Sequence, residues 1–164
     1  MDEHWYRVIK DEEYCSQILD IFCRLHDYMI TQIEYQNQNN TAYVYLRYDT
    51  DDEGVLLKFI GVNRINICPL ESNETPWLEG ANIQLTEDRK ILWYDIYDKC
   101  EDKEVFNSRD LNWIEAQEMQ FAWLDINNSI IPLPEDRINT AWSVLNYESG
   151  KYEKIQKHFK VYKV

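Results

Sequence analysis

The sequence predicts an α+β fold, a mostly antiparallel sheet built as a β-meander with an N-terminal helix and little other helix. Three observations carry this. Twelve Tyr and six Trp favour pleated, half-buried surfaces. Strand-forming runs of roughly four to eight residues recur between short polar turns. One early stretch, and only one, has a clear apolar stripe at helical spacing.

That stretch comes first. Ile9, Ile18, Leu19, Phe22 and Leu25 leave an apolar stripe at helical spacing, with Asp11, Glu12 and Glu13 near its start. Carboxylates there complement the positive end of the helix dipole. Asp11 is the expected cap, because a short side-chain oxygen accepts a bond from a free first-turn amide. The helix is expected from Asp11 to Arg24.

Strands follow. Tyr28 to Tyr35 reads as a strand with imperfect alternation, and Asn37 to Asn40 as a turn. Ala42 to Tyr48 is strongly β-forming. Asp49 to Gly54 is expected to turn the chain, with Gly54 supplying an unusual backbone angle. Val55 to Val62 is a third strand, continuing to Ile67 past Gly61 through a bulge. Short polar connections make these three an antiparallel meander. A loop holding Pro69, Asn73 and Pro76 leads to strands Ala81 to Leu85 and Lys90 to Ile96, joined at Glu87-Asp88. From Trp113 to Leu124 neither a helical nor a strand face is clean, and the concentration of Trp, Phe and Ile favours strand. Pro132 and Pro134 end any regular element. Asp136 to Tyr147 and Tyr152 to Val164 stay open between helix and strand.

With 164 residues and no Ser- or Pro-rich linker, the whole chain, 1–164, reads as one domain. A chain of this size buries roughly 70% of its unfolded surface, enough to fold without disulfides or a structural metal. No apolar run of about 18 residues is present, so no membrane span is expected. The start, Met1-Asp2-Glu3-His4, lacks the pattern of a signal peptide, so a cytoplasmic location is expected. Cys15, Cys23, Cys68 and Cys100 are then read as buried thiols, and the sequons at Asn39 and Asn127 carry no weight.

The net charge of −13 disfavours nucleic acid, which selects a basic stripe, and anionic membranes. It favours a basic partner, or simply solubility. Lysines recur every three residues at 151, 154, 157, 160 and 163, which reads as a solvated face on a terminal element.

Tests for chemistry return little. Asp49-Thr50-Asp51-Asp52-Glu53-Gly54 matches the first half of a calcium loop, but position twelve, which needs a bidentate carboxylate, is Ile60. Cysteines and histidines lack zinc-ligand spacing. No nucleophile elbow, catalytic-cysteine signature or Gly-rich phosphate loop is present. No catalytic residue, metal or cofactor is therefore assigned. The candidate binding residues fall in two places. One is the strand end and acidic loop with Trp93, Tyr94, Asp95, Tyr97, Asp98, Glu101, Asp102 and Glu104. That stretch is either a solvated loop or a docking surface, where aromatics would anchor a partner and carboxylates would steer it. The other is His26-Asp27. That pair either contacts a ligand at the mouth of the first strand, or is structural, with His26 satisfying a carbonyl and Asp27 capping the turn.

Leu25-His26-Asp27-Tyr28-Met29-Ile30, then Ile33-Glu34-Tyr35, then Leu57-Lys58-Phe59-Ile60-Gly61-Val62-Asn63-Arg64-Ile65-Asn66 resemble a group of small bacterial proteins. Those carry a Phe/Leu-His-Asp start, a β-meander and a Gly-Val-x-x-Ile/Phe segment, and some sit beside toxin genes as candidate immunity proteins. The resemblance spans residues 25 to 67. It implies a mixed α and β sheet protein and permits an immunity role; no catalytic residues carry over. The sequence thus points to a non-enzymatic acidic binding protein, with immunity or inhibition of a basic partner as its specific form. The alternative is a small-ligand protein or hydrolase with a carboxylate and tyrosine site on the sheet face. A homodimer through a sheet face or edge is a third reading.

Overall fold

The computed structural model describes residues 4–48, 53–69 and 77–164, with backbone alone for 140–142. Two expected features fall largely elsewhere: most of the Asp49–Gly54 turn, and the part of the following loop that holds Asn73 and Pro76.

The chain begins with a short strand, β1 (Tyr6–Arg7), and a helix, α1 (Glu12–Ile21). Asp11 caps α1, its carboxylate accepting from the Tyr14 amide at 2.8 Å. The helix stops sooner than its apolar stripe predicts. Cys23, Arg24 and Leu25 take left-handed backbone angles (φ 50°, 55° and 58°), and Asp27 repeats this at 64°. Tertiary bonds hold the turn: the Arg24 carbonyl accepts from the Ala81 amide at 2.9 Å, and the Asp27 amide donates to the Leu78 carbonyl at 3.1 Å.

The expected meander is present as β2 (Tyr28–Gln36), β3 (Thr41–Tyr48) and β4 (Gly54–Asn66), all antiparallel. The imperfect alternation in β2 has a cause: the register shifts between Ile30 and Gln32. β4 does run on past Gly61, with its own irregularity between Val62 and Arg64. Gly61 has φ +66°, and a Cβ there would sit 2.8 Å from the Gln117 side chain. Gly54 differs from expectation. It opens β4 without a positive φ, and its role is close approach, since a Cβ would lie 2.9 Å from the Leu46 carbonyl oxygen.

A hairpin of β5 (Asn82–Leu85) and β6 (Ile91–Tyr94) follows, then the short helix α2 (Asp102–Asn107), which the sequence did not signal. β6 is shorter than expected: beyond Tyr94 the Asp95 amide still donates to the Asn112 carbonyl at 3.1 Å, and the Asp95 carboxylate takes up the Asn112 nitrogens. β7 (Trp113–Leu124) is the centre of the sheet. It pairs with β4 along one edge and with β6, β1 and β8 (Ile130–Ile131) along the other. This explains its unclean alternation: toward each end of the strand both faces are buried, so neither needs to be polar, and only Gln117 and Glu118 in its middle are exposed. After α3 (Glu135–Ile138), the open segments prove to be strands. β9 (Asn139–Asn146) and β10 (Lys151–His158) form a separate hairpin, and β11 (Tyr162–Lys163) returns to pair with β1. The five lysines do not share one face. On a strand, a step of three changes side, so Lys154 points opposite to Lys151 and Lys157.

The main core lies between α1 and the sheet. Phe22 packs edge-on against Phe121 (centroids 5.2 Å apart) and stacks on Trp123 (5.7 Å). Burying side chains of this kind contributes roughly 1.5–3 kcal/mol each. The opposite face carries two smaller clusters. Trp5, Leu56, Ala122 and Leu124 form one, and Leu92, Tyr94, Val105 and Trp113, covered by α2, form the other. Of the cysteines only Cys15 fits the buried reading. Cys23 is exposed and Cys68 and Cys100 are partly so, and all four are free thiols. No helix among the described residues is long and apolar enough to cross a membrane.

Candidate functional site

The strongest candidate is a polar cleft with a pinned loop at its rim. β5 places Asn82 and Gln84 on one face, two residues apart, and both are buried. Their amides reach under the loop 95–101. Asn82 Nδ2 donates toward the carbonyls of Ile96 (2.8 Å), Tyr97 (3.0 Å) and Asp98 (3.2 Å). Gln84 Nε2 donates to the Cys100 carbonyl (3.0 Å) and to Asp102 Oδ1 (2.8 Å). The Tyr94 hydroxyl donates to Gln84 Oε1 at 2.7 Å and accepts from the Cys100 amide at 2.9 Å. At the loop's start, Asp95 accepts from the backbone and side-chain nitrogens of Asn112, at 2.8 and 2.6 Å. A loop held this way displays its outward residues at fixed positions.

The predicted residues divide accordingly. Trp93 and Tyr94 are fully buried, so neither can anchor a partner. The ring of Trp93 belongs to the core against Phe59, and burial pushes the Tyr94 hydroxyl up to about 12. Asp95 is a scaffold residue, its carboxyl pushed up to about 6 by burial, with the Asn112 bonds opposing. Asp102 is half-buried in the network and also accepts from the Glu87 amide at 3.2 Å. Tyr97, Asp98, Glu101 and Glu104 are exposed and free to meet a partner.

The structure ties the second predicted pair to the first. Arg24, in the left-handed turn, donates to Asn82 Oδ1 at 3.0 Å, and its guanidinium lies 5.8 Å from the Tyr97 ring centroid. Two residues on, His26 Nδ1 sits 2.9 Å from Asp27 Oδ2, both side chains more than half exposed (57% and 56%). The two side chains meet although adjacent in sequence, with Asp27 at a positive φ of 64°. Neither structural role expected of the pair is what the bonds show: His26 pairs with Asp27 rather than with a carbonyl.

Behind the loop lies a cleft of about 830 Å³, within the range of ligand sites. Its walls include Glu12, Glu87, Asp88, Glu101, Asp102 and Glu115, against the cations Arg64, Lys99 and Lys103. Glu115 is the residue that sequence reasoning missed. It is 1% exposed, inside a strand that reads as aromatic and apolar. Arg64 Nε meets its Oε1 at 3.0 Å, and the same guanidinium stacks 3.7 Å from the Phe106 ring centroid. A signal was present: a Glu at the third position of a strand buried on both faces demands a partner. The partner, 51 residues earlier, was not visible.

Glu53, from the calcium-like turn, is taken up by Arg137, whose Nη2 donates to both carboxylate oxygens at 2.6 and 2.7 Å. Among the described residues no group of three or more His, Cys, Asp or Glu is arranged to hold a metal ion. Compared with known protein families, curated proteins and solved structures, the chain finds no match.

Proposed function

We propose that this chain is a binding protein for a positively charged protein partner, which it meets at the acidic rim of the cleft. The observation that carries this is the pinned loop: buried Asn82 and Gln84 hold Asp98 and Glu101 outward beside a cleft whose carboxylates outnumber its cations. A loop backbone already held in place loses little further entropy on binding, and its carboxylates steer a cationic partner from a distance. Tyr97, exposed and stacked near Arg24, is the aromatic anchor within reach. Inhibition of a basic toxin, an immunity role, is the specific form this reading takes.

The test is capture from extracts of the native organism at low salt, with the chain and an Asp98→Lys/Glu101→Lys variant as baits. The captured protein should be basic and absent from the variant. Its association rate should fall steeply as salt rises, because exposed charges are screened beyond about 8 Å at physiological ionic strength. Equal capture by both baits, or an on-rate indifferent to salt, contradicts the proposal. The size of the cleft and the buried Glu115 favour one second reading, a small cationic ligand bound inside. Thermal stabilisation by a small amine, lost in Glu115→Gln, would support that instead.

A further inference from the structure

The β9–β10 hairpin has no place in the cleft and no third strand. Among the described residues its strands pair only with each other. Side chains along it are mostly exposed, and at its tip Tyr147 and Tyr152 are 91% and 74% exposed. A two-stranded ribbon is at best marginally stable in water; three or more strands are needed for independent stability.

Its two edges differ. β10 carries Lys151, Lys154 and Lys157, and lysine is a common device against edge pairing. β9 reads Asn-Thr-Ala-Trp-Ser-Val-Leu-Asn, without a charge, a proline or a glycine. The uncharged run extends from Ile138 to Tyr147 in a chain that is 29% charged. An edge of this composition is a template for strand addition.

We infer that β9 pairs with β9 of a second copy, antiparallel about a two-fold axis, to make a four-stranded sheet between two molecules. Two features select a second copy. First, charge: the hairpin, residues 139–158, holds three lysines against two glutamates, a slightly positive lobe on a chain of −13. That lobe repels a basic partner and attracts the acidic body of another copy. Second, geometry: antiparallel pairing lays the tip of each hairpin beside the root of the other. The exposed Tyr147 and Tyr152 then gain a surface to cover. The contact is isologous, so it closes at two and does not propagate.

Sedimentation velocity of the full chain, from low micromolar to several hundred micromolar, should show a monomer–dimer equilibrium. Ser143→Lys places like charges across the axis and should weaken the dimer at least about tenfold, with circular dichroism unchanged. Hydrogen exchange on the unmodified chain gives a second readout: β9 amides should gain protection as concentration rises. A monomer at every concentration overturns the inference. So does a dimer unaffected by Ser143→Lys, or one that forms without added protection in β9.

Discussion

Replacing Asn82 with Ala tests whether loop 95–101 is held from below. Asn82 is buried, with a side-chain amide shared among three loop carbonyls and an oxygen that accepts from Arg24. Its amide has only two N–H groups, so the three carbonyl contacts represent about two bonds, worth roughly 1 kcal/mol each net. The bond to the Arg24 guanidinium adds about 1.5 kcal/mol, the low end for a charged donor, because Arg24 is partly exposed. The expected loss is therefore about 3.5 kcal/mol. Urea denaturation reads it as a midpoint lowered by roughly 1–3.5 M, given a slope of about 1–3 kcal/mol per molar. Hydrogen exchange should show faster amides in 95–101 while β7 is unchanged. Asn82→Asp sharpens the test: a carboxylate would face three carbonyl oxygens, so this variant should be at least as unstable near neutral pH and recover on protonation. A loss under about 1 kcal/mol, with exchange in the loop unaltered, would refute the pinning.

Two further predictions follow from local chemistry. Burial holds the Asp95 carboxyl near 6, above its ordinary 3.8, so the folded state keeps a proton that the unfolded state releases between those values. Its contribution is thus full well below pH 4 and lost as pH rises through 6: the stability of the native chain minus that of Asp95→Asn should fall by roughly 2 kcal/mol from pH 4 to 7, and a flat difference in urea titrations would contradict it. In the left-handed turn, Cys23→Gly relieves about 1–2 kcal/mol of backbone strain against an unfolded-state cost of about 0.4–1, so it should be neutral to stabilising in thermal unfolding. Arg24→Gly gains the same relief but loses Asn82 and Tyr97 and should destabilise; equal effects from the two would mean that the Arg24 side chain contributes nothing.

The fold was legible where the cause is local. The cap at Asp11, the meander and the bulge beyond Gly61 all follow from side-chain chemistry within a few residues. β7 was half legible, since its aromatic content marked a strand while burial on both faces erased the period. The end of α1 was not legible, because bonds from Leu78 and Ala81, more than fifty residues away, set the turn at Cys23. β9 and β10 were hidden for the opposite reason: an exposed hairpin has no core face to impose alternation on the sequence. At the site, the loop's charge was visible and its mechanics were not. Asn82 and Gln84 are ordinary polar residues in a short strand, and only the fold shows that they lie beneath five backbone and side-chain acceptors.

The division of aromatics between core and surface bears on how a partner would be held. Trp93 and Tyr94 are needed by the sheet, and Trp113 packs with Phe106 beneath α2, at 5.4 Å between ring centroids. That leaves Tyr97 as the large exposed ring on the pinned loop. Interfaces draw most of their energy from a few buried anchors, and rim charges act chiefly on the rate of encounter. On the proposed reading the two contributions therefore separate along one short loop. Tyr97 governs how long a complex lasts, and Asp98 with Glu101 govern how fast it forms. The Arg24 guanidinium beside the Tyr97 ring links that anchor to the turn bearing His26 and Asp27, so strain in the turn and dissociation of the complex share one side chain.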